Sequence, residues 1–179
     1  NLCIDFLENR TDKKTVDLCS GSGAIAVALD KISGAKVTAV EIDETAFSYL
    51  ETNVKENNSS VKPVMADALE ICDTFADGEL DLIVSNPPYI KSADIETLQK
   101  EVQLEPRLAR DGGEDGCDFY REIVSRWSRK LKKGGALAFE LGENQADAVK
   151  ALMAEQGFSD FKISLDFGGV QRAIIGTLL

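Results

Sequence analysis

Apolar and polar positions alternate along the chain in two periods. Near-continuous apolar runs at 15–19, 36–40, 61–66, 80–84 and 136–141 have the length of strands buried on both faces. Between them apolar residues recur every three or four positions: Ala24, Ile25, Ala28, Leu29 and Ile32, then Phe47, Leu50 and Val54. Phe119, Ile123, Trp127 and Leu131 repeat the spacing, as do Val149 and Met153. Such spacing predicts amphipathic helices. Asp43 and Asn144 stand where N-caps belong, Lys132-Lys133-Gly134-Gly135 reads as the end of the third helix, and Gly157 as the end of the fourth. Runs at 158–165 and 170–178 flank Gly168-Gly169 and predict a final antiparallel pair. The expected fold is therefore α/β, with a mostly parallel sheet, helices on both faces and an antiparallel edge.

Two stretches fall outside this rhythm. Residues 70–79 are acidic and read as a solvated connection. Residues 90–118, with Glu105-Pro106, Gly112-Gly113 and Asp115-Gly116, are long enough to be a functional lid or a docking segment. Acids outnumber Lys91, Lys100, Arg107 and Arg110 there, so a phosphate-gripping lid is not expected.

Composition narrows the function. A chain of 179 residues, 44% hydrophobic and 28% charged, suits one domain spanning 1–179 with a sizeable core. With 20 Lys plus Arg against 31 Asp plus Glu, the net charge of −11 opposes nucleic-acid binding, which gains affinity by neutralising phosphates. No apolar run approaches the ~20 residues of a membrane helix, and no basic-then-apolar leader is present, so a cytoplasmic monomer without a membrane partner is expected. Histidine is absent, which removes imidazole bases and histidine triads. Cys3, Cys19, Cys72 and Cys117 form no C-x-x-C pair, so no metal site is expected. Because the chain starts at Asn1 rather than methionine, a preceding segment is also expected.

The sharpest chemical feature is Asn86-Pro87-Pro88-Tyr89, at the end of the run 80–84. Two prolines stop a strand and leave a stiff strip of carbonyl acceptors. The Asn86 side chain adds another acceptor and Tyr89 an aromatic face. Together they suit a planar –NH2 group, whose lone pair must be localised before it can act as a nucleophile. Asn86 Oδ1 and the Pro87 carbonyl would each take one N–H while the Tyr89 ring packs on the conjugated plane.

A nucleoside site is written earlier in the chain. Ser20-Gly21-Ser22-Gly23 joins a strand to a helix, and Glu41 ends the next strand twenty residues after Gly21, placed to take two ribose hydroxyls. Asp67 ends the third strand, where it could accept from an adenine amino group with Ala68 and Leu69 over the ring. Asp17 precedes the glycine turn and would anchor that loop or a cationic amine of the ligand. Gly21-Ser22-Gly23-Ala24-Ile25-Ala26 also fits G-x-G-x-x-A, which keeps an NAD-dependent oxidoreductase open at this point.

Over nearly its whole length the chain resembles the class I S-adenosylmethionine-dependent methyltransferases, and within them the HemK/PrmC protein-glutamine N5-methyltransferases. The residues carrying the resemblance are Asp17-Leu18-Cys19-Ser20-Gly21-Ser22-Gly23, Glu41, Asp67 and Asn86-Pro87-Pro88-Tyr89. Supporting blocks are Glu105-Pro106, Gly113-Glu114-Asp115-Gly116, Phe139-Glu140-Leu141-Gly142, and Asp166-Phe167-Gly168-Gly169 with Arg172.

The resemblance implies a Rossmann-like, seven-stranded sheet and S-adenosylmethionine held by Asp17, Cys19, Ser20, Gly21, Ser22, Gly23, Glu41, Ile42, Asp67, Ala68 and Asn86. It implies an acceptor gripped by Asn86, Pro87, Pro88 and Tyr89, with Asn86, Pro87 and Tyr89 as the catalytic set. The acceptor would be the Gly-Gly-Gln glutamine of class I peptide-chain release factors. The alternatives are a glutamine of a ribosomal protein and adenine-N6 methylation of nucleic acid. Cys19 departs from the family's usual glycine, and Ala68 from a bulkier adenine cover. The family's helical N-terminal docking domain and its proline- and acid-rich linker are absent from these residues. This chain alone is therefore expected to bind cofactor but dock a release factor poorly.

Overall fold

The computed structural model describes residues 1–97 and 107–179; Lys100 and Glu105-Pro106 lie outside the described residues. Helix α1 (Leu2–Leu7) precedes β1 (Lys14–Leu18), α2 (Ala24–Ala28), β2 (Lys36–Glu41), α3 (Glu44–Glu56), β3 (Lys62–Met65) and β4 (Leu80–Ser85). Then come α4 (Asp118–Trp127), β5 (Leu131–Glu140), α5 (Ala146–Glu155), β6 (Phe158–Leu165) and β7 (Gln171–Leu178). The seven strands form one sheet in the order β3-β2-β1-β4-β5-β7-β6, with β7 antiparallel to both neighbours and the other pairings parallel. The expected sheet and its antiparallel edge are both present.

Alternation along the strands divides the core in two. Val16, Leu18, Ile83, Leu137 and Phe139 face α4 and α5, while Leu82, Val84, Ala136 and Ala138 share the other face with Leu7, Ala26 and Leu50 of α1, α2 and α3. A strand covered on both sides has no polar face, which is why these runs read as continuous hydrophobic segments. Trp127, Tyr120 and Phe139 are the largest fully buried side chains. Burial of such a side chain stabilises by roughly 1.5–3 kcal/mol. Among the described residues no helix is long and apolar enough to cross a membrane.

Four local expectations change. The first helix converts after Ala28 into a π turn, Leu29–Ser33, closed by Gly34 in the left-handed region. Leu131 and Lys132-Lys133-Gly134-Gly135 belong to β5, not to the end of a helix; a register shift between Leu80 and Leu82 absorbs the glycines, and Lys132 reaches Asp81 at 2.8 Å. The cap of α5 is Gln145, not Asn144, which lies at φ +63°. The stretch 70–79 is not merely solvated. It holds a 3-10 turn (Ile71–Thr74) with Cys72 buried and the Phe75 ring tilted against Trp127, centroids 5.2 Å apart.

Candidate active site

Sequential strands turn away from β1 in opposite directions, β2 to one side and β4 to the other, which opens a crevice beyond their carboxyl ends. Cys19 and Gly21 of the loop 19–23 line it. Cys19 sits at φ +55°, a region that costs an L-residue roughly 1–2 kcal/mol and costs glycine nothing. Gly21 adopts φ +54° and Gly23 φ +81°. A Cβ at Gly23 would come within 2.3 Å of Leu50 Cδ1, so only glycine lets the loop press onto α3. Asn53 of α3 donates to the Ser22 carbonyl at 2.9 Å and holds it there.

Glu41, at the end of β2, is buried, and its carboxylate ties the crevice together. Oε2 accepts from the Gly21 amide at 2.7 Å, while Oε1 accepts from Ile42 at 2.9 Å and Asp43 at 2.8 Å. A carboxylate has about four acceptor directions, so one remains. Asp43 then caps α3 by accepting from the Ala46 amide at 2.8 Å, as its position predicts. Asp67 accepts from the Leu69 amide at 2.7 Å, so it is at least a turn cap, and the Ala68 carbonyl receives the Trp127 indole N–H at 2.9 Å. The indole thus fixes the backbone at Ala68 from beneath.

On the other side, β4 ends at Ser85, whose hydroxyl donates to the Leu18 carbonyl at 2.8 Å. Asn86 follows, exposed, while Pro87 and Pro88 are buried. A cavity of about 670 Å³ lies between these edges, within the range of small-molecule and cofactor sites. Of the residues singled out in the sequence, Cys19, Gly21, Glu41, Ile42, Asp67 and Ala68 line it, joined by Asn86 and Pro88. Tyr49, Leu108 and Phe119 are the large side chains added to its wall. Sequence reasoning missed those three; the unusual length of 90–118 was the signal for Leu108, while Phe119 was assigned wholly to a helix face.

Asp17, Ser20, Ser22, Gly23, Pro87 and Tyr89 are not in that wall. Asp17 lies inside β1 with no exposed surface, and neither carboxylate oxygen reaches a hydrogen-bond partner at full geometry. Burial pushes its pKa up to about 8; the Ala26 amide opposes the shift and the Glu41 charge adds to it. Burial, with the Glu41 charge behind it, pushes the Cys19 thiol up to about 12 and keeps it an inert neutral group. Among the described residues no group of three or more His, Cys, Asp or Glu is arranged to hold a metal.

Tyr89 turns toward the end of β5. Its hydroxyl bonds the half-buried Glu140 carboxyl, whose pKa is raised by burial against the opposing pull of Arg172 and of this bond. A Cβ at Gly112 would meet Tyr89 Cα at 2.7 Å, and one at Gly142 would meet Tyr89 Cδ2 at 2.9 Å. Ile90, the next residue, donates to the Arg110 carbonyl at 2.9 Å and bridges to Asp111. The Asn-Pro-Pro-Tyr strip is thereby seated between the glycine-rich loop and β5.

The family profile of the methyltransferase small domain matches residues 1–162. A release factor glutamine methyltransferase from Geobacter sulfurreducens is 41% identical over 165 residues, covering 91% of this chain and 57% of that protein. One from Clostridium acetobutylicum is 35% identical over 177 residues, covering 96% of this chain and 61% of that protein. The chain thus spans about three fifths of the length of the curated relatives it matches. In structure it is similar to a methyltransferase from Pyrococcus furiosus, with a TM-score of 0.73 at 24% identity over 98% of this chain and 81% of that one.

Proposed function

The chain belongs to the methyltransferase small-domain family, and from that premise we propose that it transfers a methyl group from S-adenosylmethionine to the side-chain amide nitrogen (N5) of the Gly-Gly-Gln glutamine in class I peptide-chain release factors. The observation that carries this reading is the placement of Asn86 at the end of β4, on the wall of the same cavity as Glu41 and Asp67. An amide-gripping group and nucleoside-accepting carboxylates share one crevice. The names of the relatives support the choice of a glutamine as acceptor.

The residues fit the cofactor. At the cavity, Glu41 has one acceptor direction left for a ribose hydroxyl and the Asp67 carboxylate suits an amino group. Ile42, Ala68 and Leu69 offer the flat apolar surface that an adenine ring needs. Asp17, a buried carboxyl with unsatisfied oxygens one residue before Leu18, fits the anchoring of the loop 19–23 or of a cationic amine. When bound, S-adenosylmethionine supplies an electrophilic methyl on a sulfonium.

The chain's own part is to orient and localise. Asn86 Oδ1 accepts one amide N–H of the acceptor and the Pro87 carbonyl accepts the other. The nitrogen lone pair, perpendicular to the amide plane, is thereby drawn out of conjugation with the acceptor carbonyl and left free to attack. The methylated nitrogen then sheds one of its two protons to give the neutral amide. Preorganised groups of this kind are worth about 10²–10³ in rate each. Tyr89 supports the strip from the β5 side through Glu140. A cytoplasmic monomer goes with this reading.

Incubating the protein with isotope-labelled cofactor and, separately, a release factor, a ribosomal protein and DNA tests it, with mass spectrometry of each. Label on the glutamine of the release factor is the expected result. Label confined to ribosomal protein or DNA would replace the acceptor and keep the chemistry; stabilisation by NAD but not by S-adenosylhomocysteine would overturn both.

A further inference from the structure

Gln145 was not among the candidate residues and does not line the cavity, yet it bonds the backbone of the strip, of the glycine-rich loop and of the chain after β5. It is buried at the N-cap of α5, 8% exposed. Its Nε2 donates to the Tyr89 carbonyl at 2.9 Å and to the Gly116 carbonyl at 3.1 Å. Its Oε1 accepts from the Gly142 amide at 2.9 Å and lies 3.3 Å from the Tyr120 hydroxyl, which also donates to the Glu140 carbonyl at 2.9 Å. Two donors and an acceptor therefore join four segments: the Asn-Pro-Pro-Tyr strip, the glycine-rich loop, the end of β5 and α4.

Two glycines give way to this one amide. A Cβ at Gly116 would stand 2.6 Å from Gln145 Nε2 and 2.5 Å from the Tyr89 carbonyl oxygen. One at Gly142 would stand 2.5 Å from Gln145 Oε1. Gly142 does not adopt a left-handed φ, so close approach is what requires glycine there. The polarity of the amide is also fixed, because two carbonyls face its nitrogen and an N–H faces its oxygen. Glutamate in its place would set an oxygen against two carbonyls.

We propose that Gln145 is a positioning residue for the acceptor: it fixes the Tyr89 carbonyl and so sets the direction of the Asn86 and Pro87 oxygens. This rests on the reading of the strip as the acceptor grip. A displacement of about 1 Å at such a grip can cost about 100-fold in rate.

The variants that test this are Gln145→Glu and Gln145→Met, the second removing both polar ends at nearly the same volume without introducing a charge should the first fail to fold. Ser128→Ala serves as the reference, since it removes one buried hydrogen bond, Ser128 Oγ to the Val124 carbonyl, at the far end of α4 and outside this network. With the release factor as acceptor, both test variants should lose about 10- to 100-fold in kcat. Their affinity for S-adenosylhomocysteine should stay within about twofold, and Ser128→Ala should keep its kcat. Amide exchange at Tyr89 and Ile90 should quicken about tenfold in the test variants and not in the reference. Parental kcat and parental exchange at Tyr89 and Ile90 in both test variants would overturn the proposal. If the parent itself fails to methylate the release factor, the functional reading fails, while the exchange measurement still decides whether Gln145 holds the strip.

Discussion

The two ends of the parallel sheet are built from opposite electrostatics. At the amino ends of β1, β4 and β5, the buried Asp81 accepts from the Lys14 amide at 3.0 Å and from Lys132 Nζ at 2.8 Å, with Arg10 at 3.8 Å. Nearby Lys130, also buried, bonds Asp77 and the Phe75 carbonyl, both at 2.8 Å. At the carboxyl ends, Asp17, Glu41 and Asp67 meet backbone amides or nothing, and no ion pair with a Lys or Arg is found for them among the described residues. A buried acid without a cation is costly to ionise, and a fold selected for stability alone would place an apolar residue at such a position as Asp17. The base of the sheet is closed and the rim is left chemically open for a ligand.

The largest effect expected is at the rim. Asn86→Ala should lower turnover about 10²–10³-fold while cofactor affinity, measured by calorimetry, stays within about threefold. A loss of affinity with normal turnover at saturation would move Asn86 to the cofactor side. The base should answer in stability instead. Asp81→Ala leaves the Lys14 amide without its acceptor while the partly exposed Lys132 and Arg10 turn to water, and should cost about 1–2 kcal/mol in denaturant unfolding, without altering cofactor affinity. Equal stability of variant and parent would erase the contrast between the two ends.

Asp17 sharpens the comparison through pH. Its folded pKa of about 8 lies above the unfolded value, so the folded chain holds a proton that the unfolded chain releases. The contribution is full below about pH 4 and is lost as pH rises through about 8. Asp17→Asn should remove that slope, narrowing the stability difference between about pH 5 and pH 7 by on the order of 2 kcal/mol. An unchanged pH profile of unfolding would show that the carboxyl finds a partner. The smallest effect is at Cys19→Gly, which relieves a left-handed backbone and should stabilise by up to about 1 kcal/mol, since glycine also frees the unfolded chain. Thermal unfolding of the two forms measures it.

The sheet was legible because strands covered on both faces need continuous apolar runs, and Glu41 and Asn86 because each ends such a run. Lys132-Lys133-Gly134-Gly135 misled because a local pattern for helix termination is the same string that a bulged strand start uses; only the partner Asp81, fifty-one positions away, distinguishes them. Asn144 misled for the same reason. It is the better cap by local preference, and Gln145 takes the position because Tyr89, Gly116 and Gly142 converge on it. The Trp127 support of Ala68 and the turn of Tyr89 toward Glu140 likewise depend on contacts dozens of residues apart. One-residue features of the site can be read along the chain, whereas its supports are written only in space.

Three bare α-carbons, at 112, 116 and 142, crowd around one aromatic position. Anyone grafting this tetrapeptide into another scaffold must carry all three across with it, although they come from two separate loops. A mutagenesis library that varies only 86–89 would sample a strip whose backbone course is already set by 112 and 116, with 142 alone pressed against the ring.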